Sequence, residues 1–498
     1  MILIIEGDWL MEGFFRTLTD LNNLLSSLVW GPAMVGFMLL VGIYFTIGTG
    51  FFQIRHFGLL LRETLVAIFL DREVHDKRDP HSISQFQALS TALAGTLGTG
   101  NIVGVATAIT AGGVGAIFWM WVSAFFGMMT KYAENVLGNH YRYRDERGAW
   151  VGGPMVYIER GLGCRWLAVL FALFCMFAAF GIGNMTQANS IAGALESALQ
   201  IAPLSTGIVV ALLCGLVVLG GIKRIASVAE RCVPLMAVVY TAGAAVILWL
   251  HRDRLPDAFS AIFQEAFSLR AVGGGAGGYA MMRAVRYGVA RGIFSNEAGL
   301  GSSVIVNSAS NVKEPVRQGM WGIFEVFADT IVMCTITALA IIVSGTHLSG
   351  AEGAGMSIKA FEGAFGRAGG LFVAIAIAFF AFSSILGWSY YGERVVEYLF
   401  GRKLVGIYQL LFIGMTAVGC VGHLELVWSL SDTFNGLMAI PNLIAVLFLS
   451  NQVFAITRDY VRRVSQRRHA KHVGQWNPGP EPSPRSWRLF EKEKELSK

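Results

Sequence analysis

The sequence predicts an all-α polytopic membrane protein with about eleven transmembrane helices. Three observations predict it. Hydrophobic residues make up 54% of the 498 residues and charged residues only 14%, against roughly 25% charged in soluble proteins. Mean hydropathy is +0.56. The apolar residues also fall in runs of about 20, the length that crosses a bilayer as a helix. Disorder, collagen-like repeats, a disulfide-stapled secreted fold and an ordinary soluble enzyme are excluded.

The spans run roughly 30–54, 86–110, 113–137, 166–197, 204–221, 228–250, 280–309, 317–345, 369–399, 404–421 and 424–452. Lys/Arg placement orients them. With the C-terminal end inside, the inner segments are 55–85, 138–165, 222–231, 310–317, 391–403 and the tail. They hold 29 of the 39 Lys/Arg. An odd number of spans then puts the N-terminus outside, which in a bacterium is the periplasmic face of the inner membrane. The opening MILIIEGDWLMEGFF lacks the basic region and cleavage site of a signal peptide.

The net charge of +6 sits in the tail: eleven Lys/Arg against five Asp/Glu from Val453 onward. That matches a cytoplasmic tail touching anionic lipid, and no other feature points to nucleic acid. No obligate protein partner is implied. The six cysteines, Cys164, Cys175, Cys214, Cys232, Cys334 and Cys420, show no metal-ligand or CxxC spacing and read as packing residues. Between the sixth and seventh spans, DAFSAIFQEAF is amphipathic beside a GGGAGG run and reads as an interfacial outer loop. His347–Arg367 is a second outer loop with a short helical pattern. The end of the chain, NPGPEPSPRSW, is proline-rich and reads as flexible.

Two glycine clusters are not placed like packing glycines. The second span carries AGTLGTGN, Ala94–Asn101, and the seventh carries SNEAGLGS, Ser295–Ser302. Glycine inside a helix costs about 1 kcal/mol relative to alanine, so Gly95, Gly98 and Gly100 weaken the helix at one point. The freed backbone groups need partners in lipid. Half-helix N-termini attract anions and freed carbonyls coordinate cations. Small-residue helix packing is the competing reading. The clusters lie five spans apart, and AGTLG echoes EAGLG. Together these predict two five-helix repeats of inverted topology, 86–250 and 251–452.

Other polar residues in the spans are candidates on spacing alone. Gly181, Asn184 and Gln187 lie three apart on one face of the fourth span, and amides suit an amino acid zwitterion. Interhelical hydrogen bonding is the alternative. Asn296 and Glu297 flank the second break, where the carboxylate can meet an ammonium, a cation or Arg291. Arg283, Arg286 and Arg291 fit a membrane span badly; either the span begins later or they line a wet vestibule. Glu325 and Asp329 share a face at i,i+4, lining an ion path or bonding between helices. Lys131 and Glu134 read as a pair near a membrane face. Asp432, Asn435 and Asn442 carry no clear role.

The stretches TALAGTLGTGNIVGVATAITAGG (91–113), VGGPMVYIERGLG (151–163) and RGIFSNEAGLGSS (291–303) resemble the alanine/glycine:cation symporters, the sodium:alanine symporter family. The resemblance covers about residues 20–455, and the proline-rich part of the tail, 453–498, lies outside it. It implies a leucine-transporter-like fold of ten core helices, here with one extra helix in the N-terminal segment, 1–85. It implies that the amides around Gly98, Thr99 and Gly100 hold a substrate carboxylate. The carbonyls of Ala94 and Leu97 would face sodium, with oxygens from Thr96, Asn101 and the adjacent Ser383 and Ser384. Asn184, Gln187, Asn296, Glu297 and Gly299 complete the expected substrate site.

The expected activity is sodium-coupled symport of alanine or glycine into the cell by alternating access, with Na+ as coupling ion and no organic cofactor. Proton coupling in the same fold is the alternative. A channel would need a continuous lined pore. An enzyme would need a nucleophile with its base or a metal cluster; HExxH, GxSxG and Walker motifs are absent from the sequence.

Overall fold

The computed structural model describes residues 2–267, 276–422 and 425–472. The proline-rich end and the first three glycines of the GGGAGG run lie outside them.

Helix α1, Ile2–Val29, turns at Trp30-Gly31 into α2, Pro32–Gly48. The first span is therefore shorter than 30–54. Its end is set by Gly50 (φ 68°) and Phe51 (φ 59°), left-handed residues that stop a helix. Short helical turns cross the membrane face to Ser84. There a capping box starts α3, Gln85–Thr96: Ser84 Oγ accepts from the Gln87 N–H and Gln87 Oε1 accepts from the Ser84 N–H. One tight turn, Thr99–Asn101, links α3 to α4, Val103–Gly112. The third span is α5, Ala116–Tyr141. A two-stranded hairpin comes next, with β1 (Tyr143–Arg144) paired to β2 (Trp150–Val151), and then α6, Pro154–Leu162.

The fourth span is α7, Arg165–Phe180, which passes through a π-helical stretch, Gly181–Met185, into α8, Thr186–Leu199. Spans five and six are α9, Pro203–Val218, and α10, Gly221–Leu250. The amphipathic outer segment forms α11, Leu255–Ala266. It is tied down by Glu265, whose Oε2 accepts from the Val114 N–H at 2.8 Å.

The seventh span is α12, Ala276–Asn296, then a break and α13, Val304–Asn307. It begins earlier than predicted, so the three arginines lie within the helix. The eighth is α14, Pro315–Val326, running through a π stretch, Phe327–Cys334, into α15, Thr335–Val343. The outer α16, Gly353–Phe365, precedes α17, Arg367–Phe400, and α18, Val405–Val421. The last span is α19, Glu425–Phe448. The first part of the basic tail continues as α20, Ser450–His472. It docks on the core through Tyr132 OH to Thr457 and through Arg463 to Glu314.

Among the described residues, seven helices are long and apolar enough to cross a membrane on their own. The other spans are broken, short or polar inside. Exposed leucines such as Leu212, Leu216, Leu410 and Leu411 cover the outer faces of α9 and α18, as lipid-facing helices require. The broken spans lie at the centre, where protein can satisfy their backbone. Gly100 brings the two breaks together: a Cβ there would stand 3.4 Å from Ser295.

Candidate functional site at the first helix break

The first break begins at Leu97, whose ψ of 71° ends α3, and Gly98 comes next with φ −113° and ψ −146°. Close approach explains its glycines. A Cβ on Gly98 would stand 2.4 Å from Ser384 Oγ and 3.2 Å from Gln187 Oε1. Gly387 on α17 lies so near Gly95 that its Cβ would be 2.9 Å from the Gly95 nitrogen. This contact lets Ser384 Oγ reach the broken end of α3, donating to the Ala94 carbonyl at 2.9 Å and the Gly95 carbonyl at 3.3 Å. Ser383 turns away and donates to Phe380 O on its own helix. Thr96 likewise bonds back to Ala92 O and Leu93 O.

Gln187 reaches the break. Its Oε1 accepts from the Thr99 N–H at 3.3 Å, and its Nε2 donates to Ile182 O. Asn184 does not reach it. Its Nδ2 donates to Phe412 O at 2.7 Å and its Oδ1 accepts from Thr416 Oγ1 at 2.8 Å, which is the interhelical alternative. The shared face fails because Gly181–Met185 is π-helical. A π turn adds a residue and rotates the downstream part of the helix.

Asn101 sits across the break. Its Nδ2 donates to Asp329 Oδ1 at 2.7 Å, joined there by Ser295 Oγ at 3.1 Å. Its Oδ1 is buried without a hydrogen-bond partner among the described residues.

A cavity of about 20 Å³ lies against the break, room for roughly one water. Gly95, Gly98 and Gly100 form one wall, and Ile182, Phe294 and Trp388 supply the apolar sides. Gln187, Glu297 and Asn435 are its polar residues apart from Thr96. Phe294, Ile182 and Gly100 also line a second, open cavity of about 600 Å³, which holds Arg291, Asn189 and Asp432. Arg291 thus faces a vestibule, and Arg286 Nε donates to Trp30 O. The vestibule reading fits Arg291 alone among the three arginines.

The second break is bonded differently. Glu297, Gly299 and Gly301 have φ of 56°, 91° and 77°. Asn296 Oδ1 accepts from the Ala298 N–H, and Asn296 O accepts from Lys131 Nζ at 3.1 Å. Glu297 Oε2 accepts from Ser302 Oγ at 2.5 Å rather than from Arg291. Gly299 O accepts from Asn442 Nδ2 at 2.8 Å. Lys131 is fully buried and pairs with Glu325 Oε1 at 3.2 Å. It is not paired with Glu134, which instead accepts from Asn442. Glu325 and Asp329 part company because the π stretch starts between them, at Phe327.

Phe294, Trp388 and Asn435 are not legible as site residues in the sequence. An aromatic or a lone amide in an apolar span gives no spacing signal, and only the folded contacts place them.

Three comparisons bear on this site. The profile of the sodium:alanine symporter family matches residues 15–474. The chain is 46% identical over 449 residues to the sodium/alanine symporter AgcS of Methanococcus maripaludis, covering 89% of this chain and 97% of that one. It is 37% identical over 450 residues to the probable sodium/glutamine symporter GlnT of Bacillus subtilis, covering 90% and 92%. The solved structure of MhsT in complex with L-phenylalanine superposes with a TM-score of 0.54 at 14% identity, over 75% of this chain and 98% of that one. That likeness is one of fold, and it is the leucine-transporter fold. The chain therefore belongs to the sodium:alanine symporter family: it is a multi-pass, sodium-coupled amino acid transporter and not an enzyme.

Proposed function

We propose that this transporter carries alanine or glycine with sodium into a bacterial cell, with its N-terminus outside and its C-terminus cytoplasmic. One observation carries the reading: the cavity at the first break is walled by glycines and is small, with Gln187 and the Thr99 N–H at its edge. Backbone amides at Gly98–Gly100 bind the substrate carboxylate. Gln187 leaves Thr99 for the substrate as the cavity widens. Sodium binds on the other side of the break, on the Ala94 and Leu97 carbonyls with Ser384 and Ser383, and Thr96 and Asn101 offer further oxygens. Glu297 lines the far wall, while Asn296 and Gly299 lie outside the cavity lining and hold the second break.

Three features support this reading. Ser384 already bridges α17 to the Ala94 carbonyl, which is where a hard cation finds oxygens from two helices. Asn101 Oδ1 lacks a partner among the described residues. The glycine wall of Gly95, Gly98 and Gly100 carries no side chains, so a small substrate can approach the backbone closely. Alternating access then comes from movement of the broken spans against α17, and each charge carried inward gains about 2.3 kcal/mol per 100 mV.

The test is labelled alanine uptake into proteoliposomes under equal gradients of sodium, potassium or protons. Accumulation with sodium alone is expected. Accumulation with protons alone would transfer the coupling to the buried carboxylates around Lys131 and refute the sodium site.

A further inference from the structure

Asn435 is the one lining residue of the small cavity that comes from the last span, α19. It is 2% exposed, and its Oδ1 is buried without a hydrogen-bond partner among the described residues. Such an acceptor is costly unless a donor arrives. The helix that carries it is fixed on two sides. Two turns further on, Asn442 Nδ2 donates to the Gly299 carbonyl of the second break at 2.8 Å. Behind it, Gly436 admits Val29 and Trp30, and Trp30 Nε1 donates to Asp432 O at 3.0 Å. These contacts fix the α19 backbone that carries Asn435 beside the cavity.

An amino acid in this cavity has two charged ends. The Thr99 and Gly100 amides of the turn suit the carboxylate, whereas the Gly98 N–H already donates to Thr96 O at 2.8 Å. The ammonium needs acceptors, and the cavity's polar residues on the other elements are Gln187, Glu297 and Asn435, of which Gln187 Oε1 already accepts from the Thr99 N–H. Glu297 Oε2 is already engaged by Ser302. We propose that Asn435 is a substrate-binding residue whose Oδ1 accepts a hydrogen bond from the α-ammonium group of the transported amino acid. This rests on the reading that the cavity holds an amino acid. It makes the last span part of the recognition site as well as of the scaffold.

The experiment is equilibrium binding of labelled alanine to the purified full-length protein in saturating sodium, with propionate as competitor. Propionate keeps the carboxylate and methyl groups and lacks the ammonium. Asn435→Leu keeps the volume and removes the acceptor, and Asn435→Ala is the second variant should the leucine disturb folding. Alanine affinity is expected to fall roughly 10-fold or more, with propionate inhibition unchanged, so that the preference for alanine over propionate collapses. Equal weakening of both ligands, or unchanged alanine binding, overturns the ammonium contact alone. A wild-type protein that binds no amino acid in sodium overturns the transport reading, and this contact with it.

Discussion

The two helix breaks are built from similar letters and finished in different ways. At the second break the freed groups are already spent. Lys131 holds Asn296 O, Asn442 holds Gly299 O, Asn296 caps the Ala298 N–H and Ser302 holds Glu297. At the first break side chains also bond the backbone and the Gly98 N–H donates to Thr96 O at 2.8 Å, but Asn101 Oδ1 is left without a partner among the described residues and a small cavity opens. The Thr99 N–H meets Gln187 at 3.3 Å, and Ser384 touches the Ala94 carbonyl. A break whose backbone is satisfied by side chains is a structural joint. A break left short of partners is where a ligand completes the bonding. In the function proposed above, substrate and ion belong to the first break and rigidity to the second.

The sharpest way to test that difference is to add one carbon to each. Gly98→Ala places a Cβ 2.4 Å from Ser384 Oγ and into the cavity wall. Transport should drop by roughly 100-fold or more while the melting temperature holds, since the side chains it meets can shift at modest cost. Gly301→Ala places a Cβ 2.5 Å from the Pro154 ring at a φ of 77°. Here the folded protein should be lost first, with a penalty of about 1–3 kcal/mol or more, read by thermal unfolding in detergent. Equal loss of stability in both variants would erase the distinction.

The second break should also depend on its buried charge. Lys131→Met leaves Glu325 unpaired in the protein interior, a loss of about 3–5 kcal/mol. Adding Glu325→Gln should return most of it, because the uncompensated charge is then gone. The pair of variants, measured by fluorescence-detected stability, would contradict the structural role if the double variant were no more stable than the single.

At the first break the adjacent serines should separate. Ser384→Ala should raise the sodium concentration for half-maximal uptake by about 10-fold, on the scale of one bond to a charged partner. Ser383→Ala should have the smaller effect, since Ser383 bonds Phe380 O in its own helix. Sodium titrations of alanine uptake check this, and equal effects would mean that α17 turns during the cycle. The smallest effect is expected at Asn184→Ala. It should cost about 0.6 kcal/mol of stability, the mean for a membrane interhelical hydrogen bond, and leave the KM for alanine unchanged.

Much of the molecule is readable in the chain because it is local. Apolar runs mark spans, and glycines beside Thr and Asn mark where a span breaks. Gly98, Gln187 and Ser384 fall together as the motifs imply. The misreadings are all non-local. A 3.6-residue period puts Asn184 at the site, but a π stretch interrupts that period and turns the side chain onto Phe412. Sequence spacing pairs Lys131 with its neighbour Glu134, whereas the fold gives it Glu325 on another span. Asn435 has no local pattern at all, and only the cavity singles it out. Periodicity finds faces, but which face meets which depends on helix rotation and crossing, and those are set by the whole bundle.

The most direct measurement is a structure of this protein with sodium and alanine bound. The alanine carboxylate should sit on the amides of Gly98–Gly100, with sodium between the Ala94 carbonyl and Ser384 Oγ. The second break should keep its bonds to Lys131 and Asn442. Alanine seated on the Ala298–Ser302 backbone, with Lys131 or Asn442 displaced, would contradict it.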